Sequence, residues 1–281
     1  MGFRWDRMRP LLTVPYLPTL GPSHPDAVTP DLMADVLRVS GTGSFLAHDK
    51  DRRWSDRKDE AVLLHEIVQN QDRTLIPTIT GHGLLRIHLY GAPERRTEAK
   101  ELAAKLTATY DAAKARVVWF QATADTVAAS TRVQLRSFDR PAPAADGIET
   151  LTEQPKEVRA TFGTFAEKMA DEGFAFLHSR IDTVGPVLTA VREGQVAGAI
   201  GPMETMADPI GRMRLLPQYF GVLPEYRGLG IGRLLWRAAM HWGQEAGADY
   251  QILQTAAGGA SDRLCQSEGL SDLGFVCTAV V

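Results

Sequence analysis

The sequence predicts an α/β fold with a mixed (α+β) sheet spread over two domains, and three observations predict it. Apolar runs with period-two alternation are interleaved with stretches of helical spacing. A strand–helix–strand order occurs twice, over 84–122 and over 214–256, as in sheets whose faces are covered by helices. The third observation is length: 281 residues, at about 150 per domain, suffice for two cores. A composition of 44% hydrophobic and 23% charged residues excludes a wholly disordered chain, a collagen-like repeat and a short disulfide scaffold.

The elements follow in order. Six of the sixteen prolines, Pro10, Pro15, Pro18, Pro22, Pro25 and Pro30, fall in the first thirty residues and predict an extended arm. The run 31–39 has helical spacing behind the cap-like Thr29-Pro30-Asp31. Dense mixed charge over 47–60 reads as a solvated loop or helix face, with Trp54 as the one candidate anchor. The run 60–69 reads as a helix with one buried face. Alternation predicts a strand at 84–91, helix formers a helix at 98–114, and a short apolar run a strand at 116–122. Beyond 127–138, the Pro/Ala stretch 140–147 is the best linker in the chain. It divides the sequence into a first domain, 1–140, a linker, 141–146, and a second domain, 147–281.

In the second domain a strand at 147–151 precedes a helix at 155–173 that ends at a glycine. The run 187–203 reads as two strands turning across Glu193-Gly194. A strand at 214–224 leads into an amphipathic helix at 230–247, with Ile231, Leu234, Leu235, Ala238, Ala239 and Trp242 on one face. A strand at 250–256, a short helix and a last strand at 275–281 complete the order.

Charge and cysteines bound the function. The net charge is −3, from 31 basic and 34 acidic residues, which argues against a chain-wide footprint for nucleic acid. Residues 1–140 carry 20 basic against 17 acidic residues, and 141–281 carry 11 against 17. An acidic second half favours a cationic small molecule as partner. Cys265 and Cys277 form no disulfide framework, which points to a reducing, cytoplasmic setting. The start MGFRWDRMRPLL has no apolar run of signal-peptide length, and Asp6 stands where a myristoylation signal wants Ser or Thr. No run is long enough to span a membrane, so no membrane partner is expected. The histidines show no metal-ligand spacing, so no metal is expected either.

The chemistry lies in 219–235, YFGVLPEYRGLGIGRLL. An apolar strand runs into Pro224, then into Arg227-Gly228-Leu229-Gly230-Ile231-Gly232, then directly into the amphipathic helix. Alternate glycines let a ligand approach the backbone closely. Successive N–H groups at the positive end of a helix are what a pyrophosphate requires, and Arg227 and Arg233 add charge. The spacing is neither the G-x-G-x-x-G of a dinucleotide fold nor the Gly-Lys-Ser/Thr of a Walker loop.

With its flanks, Val222-Leu223-Pro224-Glu225-Tyr226-Arg227-Gly228-Leu229-Gly230-Ile231-Gly232 resembles the acyl-CoA-binding motif of the GNAT N-acetyltransferase superfamily, usually V-x-P-x-Y-R-G-x-G-I-G. The order of elements over 147–281 is also the family's. The resemblance implies a GNAT acyl-CoA N-acyltransferase fold. It implies acetyl-CoA, or another acyl-CoA, in a cleft where two neighbouring parallel strands splay apart. The pyrophosphate would lie on Gly228, Leu229, Gly230, Ile231, Gly232 and Arg233, with Arg227 beside it, and the pantetheine arm along Tyr219, Phe220, Gly221 and Val222.

Direct attack by an amine then needs a base, oxyanion donors and an acid for the thiolate. Many members place a tyrosine acid in a run like L-Y-E-K-x-G-F; here the run is Leu264 to Leu270, with Cys265 in that place. Cys265 is either a proton relay or a buried packing residue. The strand 214–223 holds no carboxylate or histidine, which leaves Tyr219 or a water held by Gln218. Glu204 and Asp208 are the nearest acids in sequence, and Glu204 is the expected base. His178 lies where such proteins build the acceptor site.

The first half repeats the strand–helix–strand order, but its turn, Gly91 to Thr97, keeps one glycine and carries Pro93 and Glu94. It reads as a degenerate GNAT-like half in a tandem, or as an unrelated α/β cap. The expected activity is N-acetylation of the primary amine of an amino acid, an aminoglycoside-like compound or another amine metabolite, with a homodimer compatible. The alternatives are another acyl donor or altered chemistry, and a non-catalytic CoA-binding sensor or partner subunit.

Overall fold

The computed structural model describes residues 14–142 and 144–281; Pro10, Pro143 and the reading of the first dozen residues lie outside that description. Its contacts divide the chain into two compact units, Met1–Arg136 with Ile252–Val281, and Ser137–Gln251. The first boundary falls close to the Pro/Ala segment. The second, at Ile252, has no counterpart in a chain of two consecutive domains.

The first unit opens with the short strands β1 (Tyr16–Leu17) and β2 (Gly21–Pro22) and helix α1 (Pro30–Val39). Thr29 caps α1 by accepting from Leu32 N–H at 3.1 Å, as the Thr-Pro-Asp sequence predicts. The run 60–69 is not a helix. It forms β3 (Ala61–Val62), a 3-10 turn and β4 (Val68–Gln69), both strands pairing with β5 (Arg73–Ile79). Leu64, which a helix would bury, is 51% exposed; the ladder to β5 and the Ser40 hydroxyl, which accepts from Val62 N–H, outweigh helical spacing.

β6 (Leu84–Gly91) runs antiparallel to β5, and helix α2 (Arg96–Tyr110) carries the chain to β7 (Lys114–Gln121), parallel to β6. Leu75, Leu85, Ile87, Leu89, Ala99, Ala103 and Leu106 form one core with this helix. The opposite face of β5 and β6 packs on Leu32, Met33 and Val36 of α1. β8 (Ala129–Ser137) follows.

That opposite face also buries His88. Arg86 donates to Glu60 at 2.7 Å, the Thr78 hydroxyl donates to Glu60 at 2.8 Å, and His88 Nε2 lies 3.2 Å from the same hydroxyl. Because Thr78 spends its proton on Glu60, His88 must donate through Nε2, leaving Nδ1 as a buried acceptor without a partner among the described residues. Burial pushes the imidazole down to about 4; Glu60 opposes the shift and Arg86 reinforces it. An unfolded chain, titrating near 6.5, binds this proton first. The contribution of His88 is therefore complete above about pH 6.5 and is lost as pH falls towards 4, by up to about 3 kcal/mol. Urea midpoints at pH 7 and 4.5 should show this loss in the wild type and much less of it in His88→Gln; equal losses would assign it elsewhere.

The second unit contains β9 (Ile148–Thr150), the short helices α3 (Lys156–Arg159), α4 (Phe162–Lys168) and α5 (Phe174–His178), and strands β10 (Leu188–Arg192) and β11 (Gln195–Gly201). The single helix expected over 155–173 is thus broken. Thr161 accepts from Val196 N–H at 3.0 Å, so one of the two residues between α3 and α4 is tied to β11. Gly173 does end the run, in the left-handed conformation at φ +86°.

The strand expected at 214–224 is also divided. After β12 (Thr205–Ala207) come β13 (Met213–Leu215) and β14 (Tyr219–Val222), with Pro217, which has no donor, between them. Helix α6 (Ile231–Glu245) and strand β15 (Tyr250–Ala256) follow. β13 pairs in parallel with β15 only at Arg214↔Tyr250 and Leu215↔Gln251. β14 pairs instead with β11, at the edge of a sheet ordered β14-β11-β10-β9. Helix α6 buries Ile231, Leu235, Trp236, Ala239 and Met240. Gly198 lets β11 come close: a Cβ there would lie 2.9 Å from Leu235 Cδ1 and 3.1 Å from the Gly221 carbonyl oxygen. The Pro/Ala segment is held at its start, with Ala142 N–H donating to Gln244 at 2.6 Å and its carbonyl oxygen 3.0 Å from His241 Nδ1.

The chain then returns to the first unit. Helix α7 (Ala260–Ser267) leads to β16 (Ser271–Val280), which lies between β7 and β8, antiparallel to both. The first unit's sheet therefore runs β8-β16-β7-β6-β5-β3, with the end of β15 beside β8.

Candidate active site

The site is built on β14, the turn after it and the start of α6. Pro224–Tyr226 form a 3-10 turn, closed by Tyr226 N–H on the Leu223 carbonyl at 3.0 Å and Arg227 N–H on that of Pro224 at 3.2 Å. Gly228 and Gly230 then both take φ of +80°, which an L side chain resists, and a Cβ on either would meet nothing within 4 Å. Gly232 serves packing, since a Cβ there would lie 3.3 Å from the Phe220 ring.

Among the described residues no backbone carbonyl accepts from the N–H groups of Gly228, Leu229, Gly230, Ile231 or Gly232. These are the orphan donors of a helix start, and Gly230, the cap residue, makes no side-chain cap. Several donors at the positive end of a fifteen-residue helix, with open space before the glycines, suit a phosphate. Leu229 is 63% exposed at the crest. Arg227 folds back, Nε donating to the Val222 carbonyl at 3.1 Å, and Arg233 is exposed in the first turn of α6. Among the described residues no strand pairs with the outer side of β14, so Tyr219, Phe220, Gly221 and Val222 present an open backbone edge.

The other expected residues are distributed as follows. Tyr219 is half-buried on β14, its ring 6.4 Å from that of Phe174 and 6.3 Å from that of Phe176. Gly173 makes room for it, because a Cβ there would lie 2.4 Å from the Tyr219 ring. Glu204 is half-buried before β12, and its carbonyl accepts from Leu216 N–H at 2.9 Å, which holds it beside the end of β13. Asp208 is buried and engaged: Oδ1 accepts from Ile210 and Arg212 N–H, each at 2.9 Å, and Oδ2 from the Tyr250 hydroxyl at 2.9 Å. That is the role of a turn-former. His178 is exposed at the end of α5, edge-on to Phe162. Gln218 accepts from Gln251 at 2.9 Å, where β13 leaves β15.

Cys265 belongs to the first unit, whereas the glycine turn, Tyr219 and Glu204 belong to the second. It is 3% exposed on α7, and burial, then Asp262 and Glu268, push its thiol up to about 11. These are the surroundings of a packed residue. The first unit's counterpart turn, between β6 and α2, is ringed by its own carboxylates. Arg95 bridges Asp72 at 2.5 Å and Glu98 at 3.1 Å, Arg73 pairs with Glu98, and Arg96 pairs with Asp125 at 2.5 Å. The arginines of this turn are thus already engaged by carboxylates.

A family model described as the acetyltransferase (GNAT) family matches residues 151–264, which contain this turn. That segment of the chain is similar to the GNAT family. Members of the family are acetyltransferases. Among solved structures, a GCN5-related N-acetyltransferase from Sphaerobacter thermophilus is similar in fold over 98% of this chain and 91% of its own, with a TM-score of 0.52 and 14% identity. A tandem GNAT protein from the clavulanic acid biosynthesis pathway aligns over 75% of this chain and 78% of its own (TM-score 0.47, 15% identity). A GCN5-related N-acetyltransferase from Kribbella flavida aligns over 77% and 90% (TM-score 0.46, 16% identity). Among curated proteins none matches significantly. No helix among the described residues is long and apolar enough to cross a membrane.

Proposed function

We propose that the chain is an acetyl-CoA-dependent N-acetyltransferase that moves the acyl group directly onto the primary amine of a small molecule. One observation carries this reading: the row of N–H groups from Gly228 to Gly232 without backbone acceptors, at the start of α6 and beside the open edge of β14. These donors fit a pyrophosphate, and the β14 edge fits the amides of a pantetheine arm as an added strand. Acetyl-CoA would supply an activated thioester. Phe220, Gly221 and Val222 then orient the arm, and Arg227 and Arg233 add positive charge near the turn. Glu204 is assigned the ammonium proton, and Tyr219, packed on Phe174 and Phe176, lines the strand near the acyl end. The acidic second half favours a cationic acceptor, such as an amino acid, an aminoglycoside-like compound or another amine metabolite. The reading includes a reducing cytoplasm and no nucleic-acid or membrane partner. The first unit takes the part of a degenerate GNAT-like half.

A second reading, CoA binding without turnover, is favoured by the burial of Cys265 in place of the family's tyrosine acid. Thiol release from acetyl-CoA, measured across a panel of amines, separates the two. Turnover with at least one amine is the expected result. Tight CoA binding with no turnover across the panel would favour the second reading, and absence of CoA binding would overturn both.

A further inference from the structure

The β10–β11 hairpin turns through Glu193 and Gly194, both left-handed, at φ +52° and +74°. The first of these positions favours Asn, Asp or Gly, and a glutamate there is strained. Its carboxylate has a specific use. Glu193 Oε2 accepts from the Tyr226 hydroxyl at 3.2 Å, and that hydroxyl accepts from Gln195 Nε2 at 2.8 Å. Tyr226 is 9% exposed and ends the 3-10 turn two residues before Gly228. Beyond it two left-handed glycines leave the backbone little stiffness of its own.

We infer that the hairpin tip is a brace for the phosphate turn: Glu193 and Tyr226 are positioning residues that hold the donors of Gly228 to Gly232 in one orientation before CoA arrives. The inference rests on the CoA-binding reading above. Preorganisation of this kind raises affinity without touching the ligand. The brace explains why a strained glutamate occupies a turn that asparagine would suit better.

The test uses the full chain, titrated with CoA by calorimetry, with thermal midpoints measured in parallel. Glu193→Asn removes the strain and the carboxylate together, so its midpoint should equal or exceed that of the wild type while the dissociation constant rises about tenfold. Tyr226→Phe should weaken binding similarly. Glu193→Gln keeps an acceptor and should bind within about twofold of the wild type. Unchanged affinity in both Glu193→Asn and Tyr226→Phe overturns the brace while leaving CoA binding intact. Affinity that falls only in step with the thermal midpoint reduces the network to a structural one. A wild-type chain that does not bind CoA overturns the function reading as well.

Discussion

Gly230→Val is expected to lower affinity for CoA at least about 100-fold while leaving the second unit folded. The reason is conformational first. Gly230 caps α6 at φ +80° and ψ −5°, and a β-branched residue there is strained by about 1–3 kcal/mol. The chain relieves that strain by turning the cap, which re-aims the N–H groups on either side. It is also steric, because the space a Cβ would enter, empty of protein atoms within 4 Å, is the space assigned to the ligand. Two lost hydrogen bonds to a charged group, at about 1.5–3 kcal/mol each, already exceed a hundredfold. Burial of Leu235, Trp236, Ala239 and Met240 keeps α6 in place. Gly247→Val is the control. Gly247 has φ +77° and the same open surroundings, but lies past the other end of α6. It should lose comparable stability and no CoA affinity. Equal affinity in Gly230→Val and the wild type would remove the turn from the site.

Asp262→Ala should destabilise the first unit by about 3–5 kcal/mol. Asp262 is 1% exposed and accepts five hydrogen bonds. Oδ1 receives Arg132 Nε at 2.9 Å, Thr255 at 3.1 Å and Gln134 at 3.3 Å; Oδ2 receives Gly258 N–H at 2.8 Å and Gln266 at 3.3 Å. Burial alone would raise this carboxyl; the bonds from Gly258, Arg132 and Thr255 win, and hold it below the usual carboxylate range. Alanine leaves Gln134 and Thr255 with buried unpaired groups and strips Arg132 of one of its two carboxylates, Asp272 being the other. Asp262→Asn keeps the shape and some acceptors, so its loss should be smaller. Urea midpoints of the two variants measure the difference. A loss under about 1 kcal/mol in Asp262→Ala would show that the network contributes little.

How much was legible in the sequence depends on where each signal resides. The Thr29 cap, the Glu193-Gly194 hairpin and the glycines at 228 and 230 are local features, encoded within a few residues by backbone sterics and capping. They were readable as written. The run 60–69 was not. Its apolar spacing suits a helix, but β5 offers it a ladder from five to eighteen residues away. Pro217 was visible in the expected strand, yet only pairing shows that β13 and β14 on either side of it join different sheets. The Thr161–Val196 bond that breaks the helix over 155–173 had no sequence signal, because its partner is 35 residues away. The brace under the glycine turn carried one faint signal, a glutamate where a hairpin prefers asparagine.

The sequence by itself determined the mixed α/β class, the glycine turn and the helix that follows, because each depends on periodicity and backbone freedom over short spans. Tertiary structure alone decided where the last thirty residues go. β16 is a plain apolar strand, and nothing in its residues names the edge it will join. Its pairing with β7 and β8, as in Phe275↔Gln121 and Cys277↔Ser130, together with Asp262 gripping Arg132, places it in the first unit. Cys265 is in that unit, and the glycine turn is in the other. Strand pairing is a contest among all available edges, settled by the core each choice completes, and no local pattern records the winner.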